Sequence, residues 1–463
     1  MIYNSFQFIF FFIVVTCWYF LLPPKYRWAL LLLASCYFYM AFVPKYIFIL
    51  GCIIIIDYLA GICIEKVDGH KKKIFLILSL VANIAILIVF KYYDFINENI
   101  DHVLTIFGHT TPIPYLNIIL PIGLSFHTFQ AMSYTIEVYR GNQKSEKHFG
   151  IYALYVMFYP QLVAGPIERP QNVLHQFHEI KKFNWDSFKS GLMQMAWGMF
   201  KKVVIADRLA LAVDPIFEHP SMHNGTTVLM GILLYSFQIY CDFSGYSDIG
   251  IGAAKTMGYD LMKNFNSPYL STTLSEFWGK WHISLSSWFR DYVYIPLGGN
   301  RVAKFRLYLN LMIVFLLSGI WHGANWTYVI WGSLHGFFLI VENKIRKGIT
   351  IQSAFQKNLR ILFIFLFVSL AWVFFRSPNV FHAIVILKQL FSISIYDQLN
   401  LGINRIEIAI SILLIICLLY KEKKYPLFFI RSNIYFILIF CSLAFSCYLF
   451  GVFDNKQFIY FQF

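Results

Sequence analysis

Two histidines set among tryptophans carry the most chemistry in this chain. Trp281-His282-Ile-Ser284 and Trp321-His322-Gly-Ala-Asn325 each put an imidazole next to an indole, with a hydroxyl or amide two or three residues further on. A neutral imidazole is a suitable general base for a hydroxyl, and burial among apolar side chains favours its neutral form. Asn325 is of the type that orients such a base or donates to an oxyanion, and so are the indole N–H groups of Trp281 and Trp321; Ser284 adds a hydroxyl beside His282. Gly319 and Gly323 bracket His322 at a small-xxx-small step, which lets a second helix come close. A single histidine in an apolar setting is more often a satisfied core residue, and His335 in Trp331-Gly-Ser-Leu-His335 is read that way. From the residues alone, the paired motifs describe a buried polar site reachable from both faces.

Two further polar regions interrupt apolar runs, where ionisable groups are costly and therefore functional candidates. Pro121-Ile-Gly-Leu-Ser-Phe-His127-Thr-Phe-Gln130 combines a helix breaker with His127 and Gln130, which serve equally well as an interhelical polar contact. Tyr240-Cys-Asp242-Phe-Ser-Gly-Tyr-Ser-Asp248 carries two carboxylates, and without a third acidic ligand the balance favours structural hydrogen bonding over cation binding. The eight cysteines form no C-x-x-C pair and have no His at ligand spacing, so no metal is expected and the thiols read as packing residues.

The elements that must position these residues are membrane helices. Of 463 residues 58% are hydrophobic and 13% charged, and mean hydropathy is +0.60, which no water-soluble domain with a polar exterior matches. The net charge of +14 does not point to nucleic acid, because Lys and Arg collect in short loops between apolar runs, where they orient the chain and meet anionic headgroups. Candidate spans are Phe6–Leu22, Trp28–Val43, Tyr46–Ile64, Ile74–Phe90, Ile118–Tyr139, Ile151–Val163, Val228–Phe243, Tyr308–Ile320, Tyr328–Ile340, Leu359–Phe375, Ile406–Tyr420 and Ile434–Phe453. The first has no basic n-region or small-residue cleavage site and is expected to be retained. Basic loops at Lys66 to Lys73, Lys344/Arg346/Lys347 and Lys421/Lys423/Lys424 are expected inside, which leaves both termini outside. Phe188–Phe217 mixes Lys201, Lys202, Asp207 and Arg208 with apolar residues and reads as a re-entrant or interfacial helix. Thr273–Tyr294 reads as one amphipathic re-entrant helix, with Thr273 and Glu276 at capping-box spacing and Trp278, Trp281, Leu285, Trp288 and Tyr292 along one face.

The stretches from Glu276 to Gly299 and from Ser318 to Thr327 resemble the signature of the membrane-bound O-acyltransferases, in particular their bacterial AlgI-like branch. Pro121–Gly141, Tyr159–Arg169 and Asp242–Asp248 match the same branch, the likeness covers most of the chain, and neither histidine motif departs from the pattern. The resemblance implies an all-α polytopic fold, a single membrane domain of about 11–12 helices and re-entrant segments around a tunnel. Within it lie N-terminal spans in 6–110, a catalytic core in 118–345 and C-terminal spans with an extracytoplasmic tail in 359–463. It makes His322 the family's near-invariant histidine and His282 the second, with His127, Gln130, Asp242 and Asp248 as polar tunnel residues. It also implies no bound cofactor; a thioester donor, acetyl-CoA or an acyl carrier protein; and an extracytoplasmic SGNH partner of the AlgJ or AlgX kind. The acceptor would be a hydroxyl of an exported polysaccharide or peptidoglycan, and the setting the bacterial cytoplasmic membrane. A sister reading is D-alanyl transfer to teichoic acid, and a transporter or channel is the reading from another class. The tail Phe458-Ile-Tyr460-Phe-Gln-Phe463 resembles a short peptide of the D-alanylation system in which a tyrosine accepts the acyl group, which makes Tyr460 a candidate acyl carrier.

Overall fold

A computed structural model describes residues 1–109, 113–116, 118, 121, 123–163, 165–345, 353–424 and 432–453. Among them the chain is all-α, with no strand. Among the described residues six helices are long and apolar enough to cross a bilayer: Pro44–Lys66, Gly69–Ile106, Gly225–Thr256, Lys304–His322, Ala354–Arg376 and Asn433–Phe450. Many of their large apolar side chains, such as Phe48, Leu78, Phe363 and Leu438, face outward, as a lipid-facing surface requires. The protein is a multi-pass membrane protein.

The described residues form two compact units. The first comprises Met1–Met195 and Ser247–Met262. It contains α1 (Phe6–Leu21), α2 (Pro24–Met40), α3 (Ile47–Lys66), α4 (Gly69–Leu87), α5 (Tyr93–Ile106), α6 (Leu124–Arg140), α7 (Phe149–Met157), α8 (Tyr159–Leu162), α9 (Pro170–Val173) and the start of α10 (Trp185–Met199). Local chemistry sets the boundaries: the Ser5 hydroxyl caps α1 by accepting from Phe8 N–H at 3.1 Å, and Pro24 opens α2 at a position where its missing N–H costs nothing. The second unit comprises Ala196–Tyr246 and Lys263–Phe463. It holds the end of α10, α11 (Asp207–Glu218), most of α12 (Gly225–Thr256), α13 (Leu274–Trp278), α14 (Ile283–Phe289), α15 (Lys304–His322) and α16 (Trp326–Ile345). It continues with α17 (Ala354–Arg376), α18 (Val380–Gln389), α19 (Arg405–Lys424) and α20 (Asn433–Phe450).

Three segments differ from their sequence reading. Ile151–Val163 is not one span: α7 stops at Met157, the chain breaks at Phe158 ahead of Pro160, and every residue of the run is buried by protein. An apolar run buried by protein looks like one buried by lipid, so composition does not separate them. Ile118–Tyr139 is shorter than expected, because Gly123 takes a left-handed conformation (φ 73°) and the helix begins at Leu124. Thr273–Tyr294 is not one continuous helix. Thr273 caps α13 as expected, accepting from Glu276 N–H at 3.0 Å, but the helix ends at Trp278 and a new one begins after His282. In Phe188–Phe217, α10 runs through a π-helical stretch, Phe200–Ala206, into α11.

Candidate active site

In the second unit, α15 and α16 form a hairpin whose backbones touch. A Cβ at Gly319 or Gly332 would meet the carbonyl of Tyr328 or Phe315, and one at Gly323 would enter the Tyr328 ring. The expected second helix beside His322 is therefore α16. This close approach sets His322, at the end of α15, edge-on to Trp331 of α16, with ring centroids 5.1 Å apart. Trp321 at 4.9 Å and Phe375 of α17 at 5.1 Å complete the box around its imidazole. The end of α17 is held by Arg376, whose guanidinium pairs with Asp214 at 3.1 Å.

His282 reaches the same box from the break between α13 and α14. Its φ of 43° is rare for a residue with a side chain, and such strain is maintained only where the surroundings impose it. The constraint is Asn264. Its Oδ1 accepts from Ser284 N–H at 3.2 Å, from Ser284 Oγ at 2.9 Å and from His282 Nδ1 at 3.1 Å. An oxygen can only accept, so Nδ1 carries the imidazole proton and Nε2 keeps the basic lone pair. Burial pushes the imidazole well below the ordinary histidine range, so it is neutral. The Trp321 ring stands next to both imidazoles, 6.3 Å from His282 and 4.9 Å from His322 between centroids.

Trp281 packs on Trp372 at 4.9 Å and stacks on Phe277 at 5.6 Å. Asn325 has another task as well, since its Oδ1 accepts from Thr327 N–H at 3.0 Å to cap α16 and its amide donates to the Pro378 carbonyl at 2.7 Å. His335 is fully buried and accepts from the Trp278 indole at 3.3 Å, which is the expected core role. A cavity of about 450 Å³ opens between Trp278, Ile283, Leu285, Phe315 and Ser318, with Arg290 and Asn343 also in its lining. Ser318 lies one turn before His322.

The remaining polar candidates are held in structural contacts. Asp242 and Asp207 share the buried Lys202 ammonium at 2.7 Å and 2.8 Å, and neighbouring Lys201 donates to Ser244 at 2.8 Å. In the first unit, Asp248 accepts from Gln194 at 2.9 Å, Gln130 donates to the Tyr155 carbonyl at 2.6 Å, and His127 Nδ1 meets the Val156 carbonyl at 3.2 Å. Tyr460 lies outside the described residues.

Two buried imidazoles set against one indole, with His282 held neutral by its burial, are groups of the kind that general-base acyl transfer to a hydroxyl uses. A family profile, MBOAT, membrane-bound O-acyltransferase family, matches residues 140–382, which include both histidines. The chain belongs to that family. Among its similar O-acyltransferase relatives, the Azotobacter vinelandii protein named "Probable alginate O-acetylase AlgI" is 39% identical over 382 residues, 82% of this chain and 76% of that one. The "Peptidoglycan O-acetyltransferase" of Helicobacter pylori is 38% identical over 386 residues, 77% of this chain and 72% of its own. The "Teichoic acid D-alanyltransferase" of Streptococcus thermophilus is 31% identical over 252 residues, 51% of this chain and 60% of its own.

Two residues of this candidate site escape sequence reading. Asn264 sits 18 positions before His282 in a stretch with no helical period, so nothing local announces its role. Trp331 lies within the motif quoted for His335, but only the hairpin turns it toward His322; its buried indole N–H has no hydrogen-bond partner among the described residues.

Proposed function

We propose that this enzyme moves an acetyl group from a cytoplasmic thioester, acetyl-CoA, to a hydroxyl destined for an exported polysaccharide or peptidoglycan. The observation that carries the reading is the pair of buried imidazoles flanking Trp321, one of them tautomer-fixed by Asn264. In this reading His322 removes the proton of the attacking hydroxyl as its oxygen adds to the thioester carbonyl. The Trp331 indole N–H donates to the oxyanion that forms, and collapse expels the thiolate, which takes up a proton. His282 positions the donor, and the cavity beside α13 and α14 receives its thioester end. A protein-lined tunnel would let the acyl group cross without the bulky cofactor. Tyr460, on the outer side, takes the acyl group as an aryl ester that stays activated for transfer to an extracytoplasmic SGNH partner. The enzyme belongs in the bacterial cytoplasmic membrane, with both termini outside.

Acetyl is favoured over D-alanyl because the O-acetylase relatives match more of the chain at higher identity than the D-alanyltransferases do. Mass analysis of the cell-surface polymer with and without this protein is the test. Loss of acetyl esters supports the reading, loss of D-alanyl esters assigns the sister activity, and an unchanged polymer refutes both.

A further inference from the structure

The second unit holds another cavity, and neither histidine of the proposed active site lines it. It measures about 270 Å³ and lies between α13, α16 and α17. Phe338, Phe363 and Phe367 form its apolar wall, with the Phe338 and Phe367 ring centroids 3.9 Å apart. Phe363 is 61% exposed, and its neighbours Leu359 and Leu362 are exposed too, so this wall reaches a lipid-facing flank of α17.

Four polar side chains line the cavity, and three of them are satisfied. Thr272 donates its N–H and its hydroxyl to Glu276 at 2.8 Å and 2.9 Å, and Thr273 Oγ1 accepts from Glu276 N–H. Glu342 turns both carboxylate oxygens to the start of α13, where they accept from Leu274 N–H at 2.5 Å and Ser275 N–H at 3.2 Å. The fourth is Arg360 of α17, half-buried, which forms no hydrogen bond or ion pair among the described residues. A guanidinium stays charged and presents five donors in a fixed fork. Its Cα lies about 9 Å along α17 from the first residue, inside the span yet within a side chain's reach of the headgroup level. An unpaired cation at that depth is costly and calls for an anion. Lys344 and Lys357, both exposed, stand at the same ends of α16 and α17 and add positive charge there.

We propose that this cavity binds one anionic phospholipid, with the phosphodiester on the Arg360 guanidinium and part of one acyl chain against Phe363, Phe367 and Phe338. A phosphodiester supplies the paired acceptors that match the fork. The chain covers an apolar wall that protein leaves open, and a cavity of this size takes part of a chain, as suits a groove continuous with the bilayer. A zwitterionic lipid offers the same phosphate but brings an ammonium toward Lys344 and Lys357, so charge selects the anionic headgroup. The inference does not depend on which acyl group the enzyme transfers.

The test is native mass spectrometry of the purified full-length protein, released from micelles that hold equal amounts of phosphatidylglycerol and phosphatidylcholine. The unsubstituted protein should retain one phosphatidylglycerol more than Arg360→Gln does, and in titration the variant's midpoint for that lipid should rise by about tenfold. Lys357→Gln, an exposed cation on the same helix outside the cavity lining, should retain as much as the unsubstituted protein. Phe363→Ala, which shortens the apolar wall and keeps the guanidinium, serves if Arg360→Gln does not fold, and it should also weaken retention. Equal lipid counts with and without Arg360→Gln would overturn the proposal and leave Arg360 as a side chain reaching for the headgroup layer. An equal loss in Lys357→Gln would mean a diffuse charge effect and overturn it. Displacement of the lipid by inorganic phosphate would mean an anion site alone, and equal retention of phosphatidylcholine at the Arg360-dependent position would mean no charge selection; either overturns it too.

Discussion

Gly319→Ala tests whether the contact between α15 and α16 sets the geometry of the active site. The new Cβ would lie 3.1 Å from the Tyr328 carbonyl carbon and nearer still to its oxygen, inside the 3.0 Å that real Cβ contacts respect. Both obstacles are backbone, so the helices must separate by about 1 Å, at an overpacking cost of about 1–3 kcal/mol. His322 is one turn away and Trp331 is on the opposing helix, so the displacement falls between the proposed base and the proposed oxyanion donor. A misplacement of about 1 Å between catalytic groups costs up to about 10²-fold in rate. Gly336→Ala, on the facing helix α16 of the same hairpin, is the internal control, because its Cβ would meet the flexible Met312 Sδ at 3.1 Å and Phe315 Cβ at 3.3 Å. Acyl transfer in membranes and melting in detergent would be measured for both. Gly319→Ala should lose most activity with a moderate fall in melting temperature, while Gly336→Ala stays near wild type. Wild-type activity in Gly319→Ala, or a larger loss in Gly336→Ala, would refute the argument that the glycine contact positions His322.

His322→Ala should abolish transfer by about 10²–10⁴-fold while membrane insertion stays normal, and His282→Ala should impair donor use; a well-expressed His322→Ala that keeps substantial activity defeats the general-base role. Asn264→Ala strands three buried donors on His282 and Ser284, each costing about 1–3 kcal/mol, and should lower both stability and donor turnover. Lys202→Met leaves Asp207 and Asp242 together without their cation and should destabilise by about 3–5 kcal/mol, read as lost yield or a lower melting temperature. Tyr460→Phe should reduce surface acylation without changing membrane abundance, and unchanged acylation would mean the acyl group passes directly from donor to partner.

Composition and hydropathy alone determined that this is a helical membrane protein, because a lipid solvent excludes almost every other spanning structure. The two histidine motifs were legible too, since small residues, indoles and an imidazole at helical spacing are local features. Helical spacing also suggested one continuous re-entrant helix over Thr273–Tyr294, and there local information misled. The break at His282 is imposed by Asn264, a partner 18 residues away, and no local period encodes a distant hydrogen bond. Asn325 shows the same limit: its spacing to His322 says nothing of the cap its oxygen gives α16 or of the bond its amide donates to the Pro378 carbonyl. Lys201 and Lys202 looked too polar for a buried helix until Ser244, Asp207 and Asp242 were seen to satisfy them. Only the tertiary structure decided which polar groups are satisfied by partners and which remain for chemistry, because a buried charge or donor is tolerated by what surrounds it in space, not by its neighbours along the chain.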